Sequence, residues 1–289
     1  MNSTPASFLE LTKPRITTFI LMSTGIGFLY GAHLGVPWTW LLLLHTLVGT
    51  ALIASGSAAL NQWVEREGDA LMHRTRRRPI PAGRVSERRA FWFGVTISAA
   101  GFAELCLGVN VLSGLLALFT LASYLFVYTP LKRVSPLSTT IGAIPGAMPP
   151  LIGYAAASGR LNFEAGILYA ILFLWQFPHF YAIAWMYRED YARAGIRMLP
   201  VVEPTVDSTA WRILWFSLAL VPMSLAPKFF AMAGNVYLFG ACALGSIMLY
   251  AGYRAVSRQT VVTARRVLLA SVVYLPLLYG LLALDGISS

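Results

Sequence analysis

Long apolar stretches separated by short polar ones dominate the chain. A transmembrane helix needs roughly 20 mainly apolar residues, and the stretches that meet this predict nine spans. They lie at 15–34, 38–63, 90–109, 111–129, 137–157, 163–187, 209–227, 229–252 and 266–284. The predicted fold class is an all-α polytopic membrane protein, nine transmembrane helices around a central cavity. The connections alternate in character. Those at 31–37, 108–112, 158–162 and 226–230 are short and nearly uncharged; those at 64–89, 130–136, 188–208 and 253–265 are mostly longer and basic. Residues 1–14 lack the Arg-rich amphipathic pattern of a transit peptide, and no A-x-A site follows the first apolar run, so that run reads as a retained helix.

Composition sharpens this picture. Of 289 residues 57% are hydrophobic and 12% charged, yet the formal net charge is +10. Soluble domains are about 25% charged, and a mean hydropathy of +0.65 excludes a soluble nucleic-acid binder. Of the 22 Lys and Arg, all but Arg160 and Lys228 fall on the side of the N-terminus and the long connections. The positive-inside rule then predicts a cytoplasmic N-terminus and cytoplasmic long loops, in a bacterial inner membrane. Arg254, Arg258, Arg265 and Arg266 read as orientation charges near anionic lipid. Cys106 and Cys242 both lie in apolar stretches, which excludes a disulfide scaffold, a CxxC redox pair and a Cys-ligated metal. No phosphate-binding glycine motif of an ATP-driven pump is present.

A weak internal echo accompanies the spans. The second and sixth each run into a polar loop with carboxylates and arginines. The fourth and eighth end in aromatic-then-basic patches, Tyr128 to Arg133 and Tyr250 to Arg258. One domain, 1–289, with a parallel repeat over roughly 15–136 and 137–265 is expected.

The first chemical constellation runs from Asn61 through Glu65, Glu67, Asp69, Met72, His73, Arg74, Thr75, Arg76 and Arg77 to Arg78-Pro79. Asn61, Glu65 and Asp69, spaced i, i+4, i+8, fall within a ~80° arc of one helix face. An amide and two carboxylates offer only oxygen ligands, the set Mg²⁺ prefers together with substrate phosphates. Glu67 points elsewhere. The arginines that follow are dense enough to grip a phosphate with their planar donor forks. A helix end carrying ordinary orientation arginines is the competing reading, and it leaves polar Asn61 and Glu65 near the end of a span unexplained.

The second constellation opens with Trp175-Gln176-Phe177-Pro178-His179 and continues through Tyr187, Glu189, Asp190, Tyr191, Arg193, Gly195 and Arg197 to Pro200. Together with Leu11-Thr-Lys13-Pro-Arg15, Tyr128-Thr-Pro-Leu-Lys132-Arg133 and Gly146-Ala-Met-Pro149-Pro150 with Gly153, these residues resemble the UbiA superfamily of intramembrane prenyltransferases. The Asn-x3-Glu-x3-Asp face speaks for the superfamily at large. Arg74-Thr75 with Arg78-Pro79, and Trp-Gln-x-Pro-His, resemble its heme-modifying branch. Two departures stand out: Glu65 occupies a place where Asp is common, and Tyr187 and Tyr191 stand where a second Asp pair is expected.

The resemblance implies that farnesyl diphosphate is ionised and joined to a vinyl group of heme B, with water added, to give heme O and diphosphate. It implies Mg²⁺ at Asn61, Glu65 and Asp69, with Asp190 as a further catalytic residue and metal ligand; the departures leave a second Mg²⁺ open. Arg74, Arg78, Lys132, Arg133, Arg193 and Arg197 are the expected diphosphate donors. Tyr124, Tyr128, Trp175 and Tyr181 are candidate faces for a carbocation, against plain packing roles. His179 is the expected heme contact, with a hydrogen-bonded core histidine as the alternative. His73 lies among the phosphate-loop arginines, while His33 and His45 fall toward the opposite face. Gly142 and Gly146 have the spacing of close helix packing, with cavity lining as the other reading. The implied partners are farnesyl diphosphate, heme B, the bilayer, and a downstream heme A synthase or oxidase assembly factor; no nucleic acid is expected. Rival functions are a related prenyltransferase with a quinone or chlorophyll-type acceptor, and a non-enzymatic heme-binding or transport protein.

Overall fold

The computed structural model describes residues 4–33, 37–203 and 205–286; residues 34–36 of the first connection and Pro204 of the sixth lie outside these. The described residues are helical with no strand. In order they form α1 (Pro5–Leu11), α2 (Pro14–Ala32), α3 (Trp40–Leu71), α4 (Glu87–Gly108), α5 (Val111–Ala122), a π-helical turn (Ser123–Tyr128), α6 (Thr129–Leu131), α7 (Ser138–Gly146) and α8 (Pro149–Ser158). There follow α9 (Phe163–Met186), α10 (Arg188–Arg193), α11 (Leu199–Val202), α12 (Asp207–Phe229), α13 (Asn235–Arg258) and α14 (Val261–Asp285).

Among the described residues seven helical runs are long and apolar enough to cross a membrane: α3, α4, the continuous run Val111–Leu131, α9, α12, α13 and α14. The expected span 15–34 corresponds to the 19-residue α2. The expected span 137–157 is not one helix but two. Pro149 and Pro150 have no N–H to extend a preceding helix, so α7 ends at Gly146 and α8 restarts with proline in its first turn, where proline is well tolerated. The helix expected to end near 63 continues to Leu71. Its 32 residues make it about 48 Å long at 1.5 Å per residue, well beyond a ~30 Å hydrocarbon core. Large apolar side chains stay exposed on the outside, Leu107, Phe126 and Phe239 among them, as contact with lipid requires.

The chain forms two compact units. The first comprises Met1–Arg160 with Glu189–Arg197, and the second Leu161–Arg188 with Met198–Ser289; position 136, the expected repeat boundary, falls inside the first. In the first unit small residues bring backbones together. A Cβ on Gly153 would stand 1.8 Å from the Thr24 carbonyl oxygen, and one on Gly27 would stand 2.0 Å from that of Pro150. α2 and α8 therefore cross at backbone contact. Gly142 faces the Tyr128 ring at 2.5 Å by the same measure. The Asn110 side chain accepts from Ser113 N–H at the start of α5 and donates to the Ala155 carbonyl of α8 at 2.8 Å. Replacing Gly153 with valine is expected to remove the α2–α8 crossing and lower the thermal midpoint of the detergent-solubilised protein by several degrees, since overpacking costs about 1–3 kcal/mol or more. Gly166→Ala, where the new Cβ meets nothing within 4 Å, is the control that should leave the midpoint in place.

In the second unit Phe177 of α9 stacks on Phe216 of α12 with centroids 3.8 Å apart. Tyr237 and Tyr274 both donate to Ser224, to its carbonyl at 2.6 Å and its hydroxyl at 2.8 Å. The Asp285 carboxylate accepts the Tyr237 N–H at 2.7 Å, which satisfies an orphan donor at the start of α13.

Candidate active site

The extra turns of α3 carry the polar face. Asn61 and Asp69 are fully buried and Glu65 mostly so, whereas Glu67 is exposed. Each buried group has a cationic neighbour. Arg78 donates to Asp69 Oδ2 at 2.6 Å, Lys132 to Glu65 Oε1 at 2.7 Å, and Lys13 to Asn61 Oδ1 at 3.3 Å. Asp69 Oδ1 is buried and makes no hydrogen bond. A carboxylate oxygen in that state is costly unless a ligand takes it up.

α1 places Lys13. Leu11 is buried with Ala59, Ile80, Val85 and Ala90, and its carbonyl accepts from Gln62 Nε2 of α3 at 2.8 Å. Lys13 itself adopts φ 48°, ψ 61°, a left-handed conformation that non-glycine residues rarely hold away from functional or turn positions. Burial, with the nearby Arg78 and Lys132 charges, pushes its pKa down to about 7 against the pull of Glu65 and Asp69.

The π-helical turn brings up Lys132 from the other side. The Thr129 N–H reaches the Tyr124 carbonyl, five residues back, and the Thr129 hydroxyl donates to the same carbonyl at 2.8 Å. Thr129 then accepts from Asn61 Nδ2 at 3.3 Å, and the Tyr124 hydroxyl donates to Asn61 Oδ1 at 3.4 Å. The Lys132 ammonium lies 4.2 Å from the Tyr128 ring centroid. Burial opposes its charge, but the surrounding Tyr128 and Glu65 oxygens outweigh this and push its pKa well above the ordinary lysine range. Insertions of this kind recur at functional sites because they redirect side chains within a helix.

Glu65, Asp69, Met72, Thr129, Lys132, Arg133 and neighbours line a cavity of about 390 Å³. The remaining expected donors are arranged less uniformly. The Arg74 guanidinium donates to the Tyr191 hydroxyl at 3.2 Å and lies 5.7 Å from that ring centroid. Arg193 pairs with Asp190, and the Arg197 N–H donates to the Lys132 carbonyl at 2.7 Å. Asp190, expected as a metal ligand, has other partners. Its two oxygens accept the N–H groups of His73 at 3.3 Å and Arg74 at 3.1 Å, besides Arg193. Desolvation works against its charge, but these donors outweigh it and hold its carboxyl below the usual range. Among the described residues no group of three His, Cys, Asp or Glu forms a metal site; the α3 face supplies two carboxylates and an amide.

His179 lies in the second unit. Its ring stacks on Trp175 with centroids 4.7 Å apart, and Trp175 Nε1 donates to the Ser271 carbonyl at 2.7 Å. The Ser271 hydroxyl gives its proton to the Leu268 carbonyl at 2.7 Å. Its oxygen therefore accepts from His179 Nδ1–H at 2.9 Å, and Nε2 is left as the unprotonated nitrogen. His45 pairs instead with Glu104 of α4, and His33 is exposed at the end of α2.

Lys13, Thr129 and Ser271 were not among the residues the sequence reading assigned to the site. The Lys-Pro dipeptide is the one local signal for Lys13. Thr129 stands inside the Tyr128–Arg133 motif, which is its local signal, whereas for Ser271 no signal exists short of the fold.

All-helical among the described residues, with seven runs long and apolar enough to cross a membrane, the fold is that of an integral membrane protein, and it carries a buried face of amide and carboxylate oxygens paired with lysine and arginine. The UbiA prenyltransferase family matches residues 20–277, and the chain belongs to it. It is 60% identical over 285 residues to the protoheme IX farnesyltransferase of Solibacter usitatus, covering 96% of this chain and 98% of that one. Its fold resembles the structure of a digeranylgeranylglyceryl phosphate synthase, with TM-score 0.81, 17% identity and 98% and 99% coverage of the two chains. It also resembles a UbiA homologue from Archaeoglobus fulgidus bound to GPP and Mg²⁺, with TM-score 0.63, 15% identity and 96% and 100% coverage.

Proposed function

We propose that the protein transfers the farnesyl group of farnesyl diphosphate to a vinyl group of heme B. The C1–O bond of the diphosphate ester breaks and a C–C bond forms to the vinyl terminus. Water then supplies hydroxide to the adjacent carbon and releases a proton, and the products are heme O and diphosphate. The observation that carries this reading is the 60% identity, over nearly the whole of both chains, with a protoheme IX farnesyltransferase.

The α3 face fits a magnesium ion. Asp69 has a buried oxygen with no hydrogen bond, and Asn61 and Glu65 lie on the same face with oxygen donors only, as this hard cation requires. Asn61, Glu65 and Asp69 would hold it, and when bound it supplies Lewis-acid stabilisation of the departing diphosphate. Around this face Arg78 and Lys132 are paired to the carboxylates and Lys13 to the amide. These cations, with Arg74 and Arg133, are the donors assigned to the diphosphate oxygens, where charge grows as the ester bond breaks. Tyr124 and Tyr128 offer ring faces beside Lys132; we assign them to shielding the allylic cation. Arg193 and Arg197 support the site through Asp190 and the Lys132 carbonyl.

Heme B is a substrate, and His179 is its assigned contact. Ser271 fixes the tautomer that leaves Nε2 basic, the form in which imidazole ligates iron. His179→Ala is expected to shift the absorption spectrum of bound heme B away from that of a histidine-ligated heme, while diphosphate binding is unchanged; an unaltered spectrum would remove His179 from the heme site.

The charge asymmetry supports nine helices in a bacterial inner membrane, with the N-terminus, the long basic connections and the α3 polar face toward the cytoplasm. Purified protein given farnesyl diphosphate, Mg²⁺ and heme B is expected to yield a pigment heavier by one farnesyl group and one hydroxyl group. Farnesylation of a quinone in place of heme would instead establish the rival acceptor.

A further inference from the structure

Three donors converge on Asp190 from two directions, and its position among them points to a task other than metal binding. α3 ends at Leu71, and Met72 is buried in extended backbone, φ −93° and ψ 131°. The chain then turns: the Thr75 and Arg76 N–H groups return to the Met72 carbonyl, and the Thr75 hydroxyl ties the turn to the Asp69 carbonyl at 2.9 Å. The N–H groups of His73 and Arg74 instead reach the Asp190 carboxylate. Next along α10, Tyr191 receives the Arg74 guanidinium on its hydroxyl and beside its ring. Gly195, at φ 66°, closes the helix; the Ile196 N–H returns to the Tyr191 carbonyl and the Arg197 N–H reaches the Lys132 carbonyl. Residues 190–197 thus touch the Arg74 turn at one end and the Lys132 backbone at the other.

We propose that Asp190 and Tyr191 are positioning residues that fix the backbone of the 72–78 turn, so that Arg74 and Arg78 are presented to diphosphate as a preformed pair. This rests on reading the α3 face as a diphosphate site. A carboxylate engaged by two backbone N–H groups and a guanidinium is already neutralised and oriented, unlike Asp69 with its orphan oxygen. Fixed donors of this kind need no reorganisation when negative charge develops.

The test uses the full-length protein in detergent with Asp190→Asn and Tyr191→Phe. An asparagine amide cannot accept hydrogen bonds at its nitrogen, so one of the two backbone contacts is lost. In metal-free, substrate-free Asp190→Asn one of the two amides, His73 or Arg74, is expected to exchange with deuterium about tenfold faster, the loss of a charge-assisted hydrogen bond. The KM for farnesyl diphosphate should rise by a similar factor, while the Mg²⁺ concentration for half-maximal activity stays within about twofold. Unchanged exchange together with a raised Mg²⁺ requirement would overturn the proposal and make Asp190 a metal ligand. Should Asp190→Asn fail to fold, Tyr191→Phe decides. It is expected to raise KM about threefold at constant Mg²⁺ requirement, as loss of one hydrogen bond does, and no change in KM counts against the proposal. Calorimetry with inorganic diphosphate and Mg²⁺ separates the two readings. No binding by the unsubstituted protein refutes the diphosphate site, and the exchange measurement, which needs neither ligand, still decides the role of Asp190.

Discussion

Replacing Asp69 with alanine is expected to lower farnesyl transfer at least about a thousandfold, the several kcal/mol that Lewis-acid stabilisation of a leaving group contributes. Heme binding should survive. The expectation follows from the asymmetry of this carboxylate. One oxygen is held by Arg78 at 2.6 Å and the other is buried without a partner, so the residue is both oriented and incomplete. Asp69→Asn separates the two properties, because it keeps the shape and one acceptor but removes the charge. Single-turnover rates with farnesyl diphosphate and Mg²⁺, alongside heme absorption spectra, check the prediction. Full turnover in either variant would refute the assignment of the α3 face to the metal.

The second large effect is on stability. Lys132→Met should destabilise the metal-free protein by about 3–5 kcal/mol, the usual cost of stranding one member of a buried ion pair. Both side chains of that pair are mostly buried, at 10% and 17% exposure. The loss should shrink when Glu65→Gln is added, since the uncompensated charge is then gone. It should also shrink in millimolar Mg²⁺, because a cation on Glu65 replaces the missing ammonium. Thermal midpoints of the single and double variants, with and without Mg²⁺, read this directly. A double variant no more stable than Lys132→Met would show that the pair is not what the loss reports.

Much of the candidate site's arrangement was legible because it obeys helical period. Asn61, Glu65 and Asp69 recur every four residues in a chain where polar groups are scarce, and α3 presents them on one buried face. The break between α7 and α8 was visible as Pro149-Pro150, but length and hydropathy alone favoured one span. What could not be read depends on distance along the chain. Asp190 meets the amide of His73, 117 residues away, and Ser271 meets His179, 92 residues away. No local pattern encodes those pairs. A carboxylate beside an arginine in sequence looks the same whether it serves a metal or a peptide backbone.

The π-helical turn at Ser123–Tyr128 has a consequence for how this stretch can vary. A lipid-crossing helix is indifferent to one residue more or less, and its apolar side chains can be exchanged freely; Phe126, exposed on the outer face, is such a position. The site is not indifferent. Loss of a single residue here lets the turn close into ordinary α-helical winding with the phase beyond it kept, so Lys132 stays near Glu65; a residue gained has no such outlet and swings everything beyond it by about 100°, which carries Lys132 off Glu65. The stretch is therefore expected to tolerate a residue lost sooner than a residue gained, and a one-residue insertion should leave a protein that still inserts and folds around an inert site.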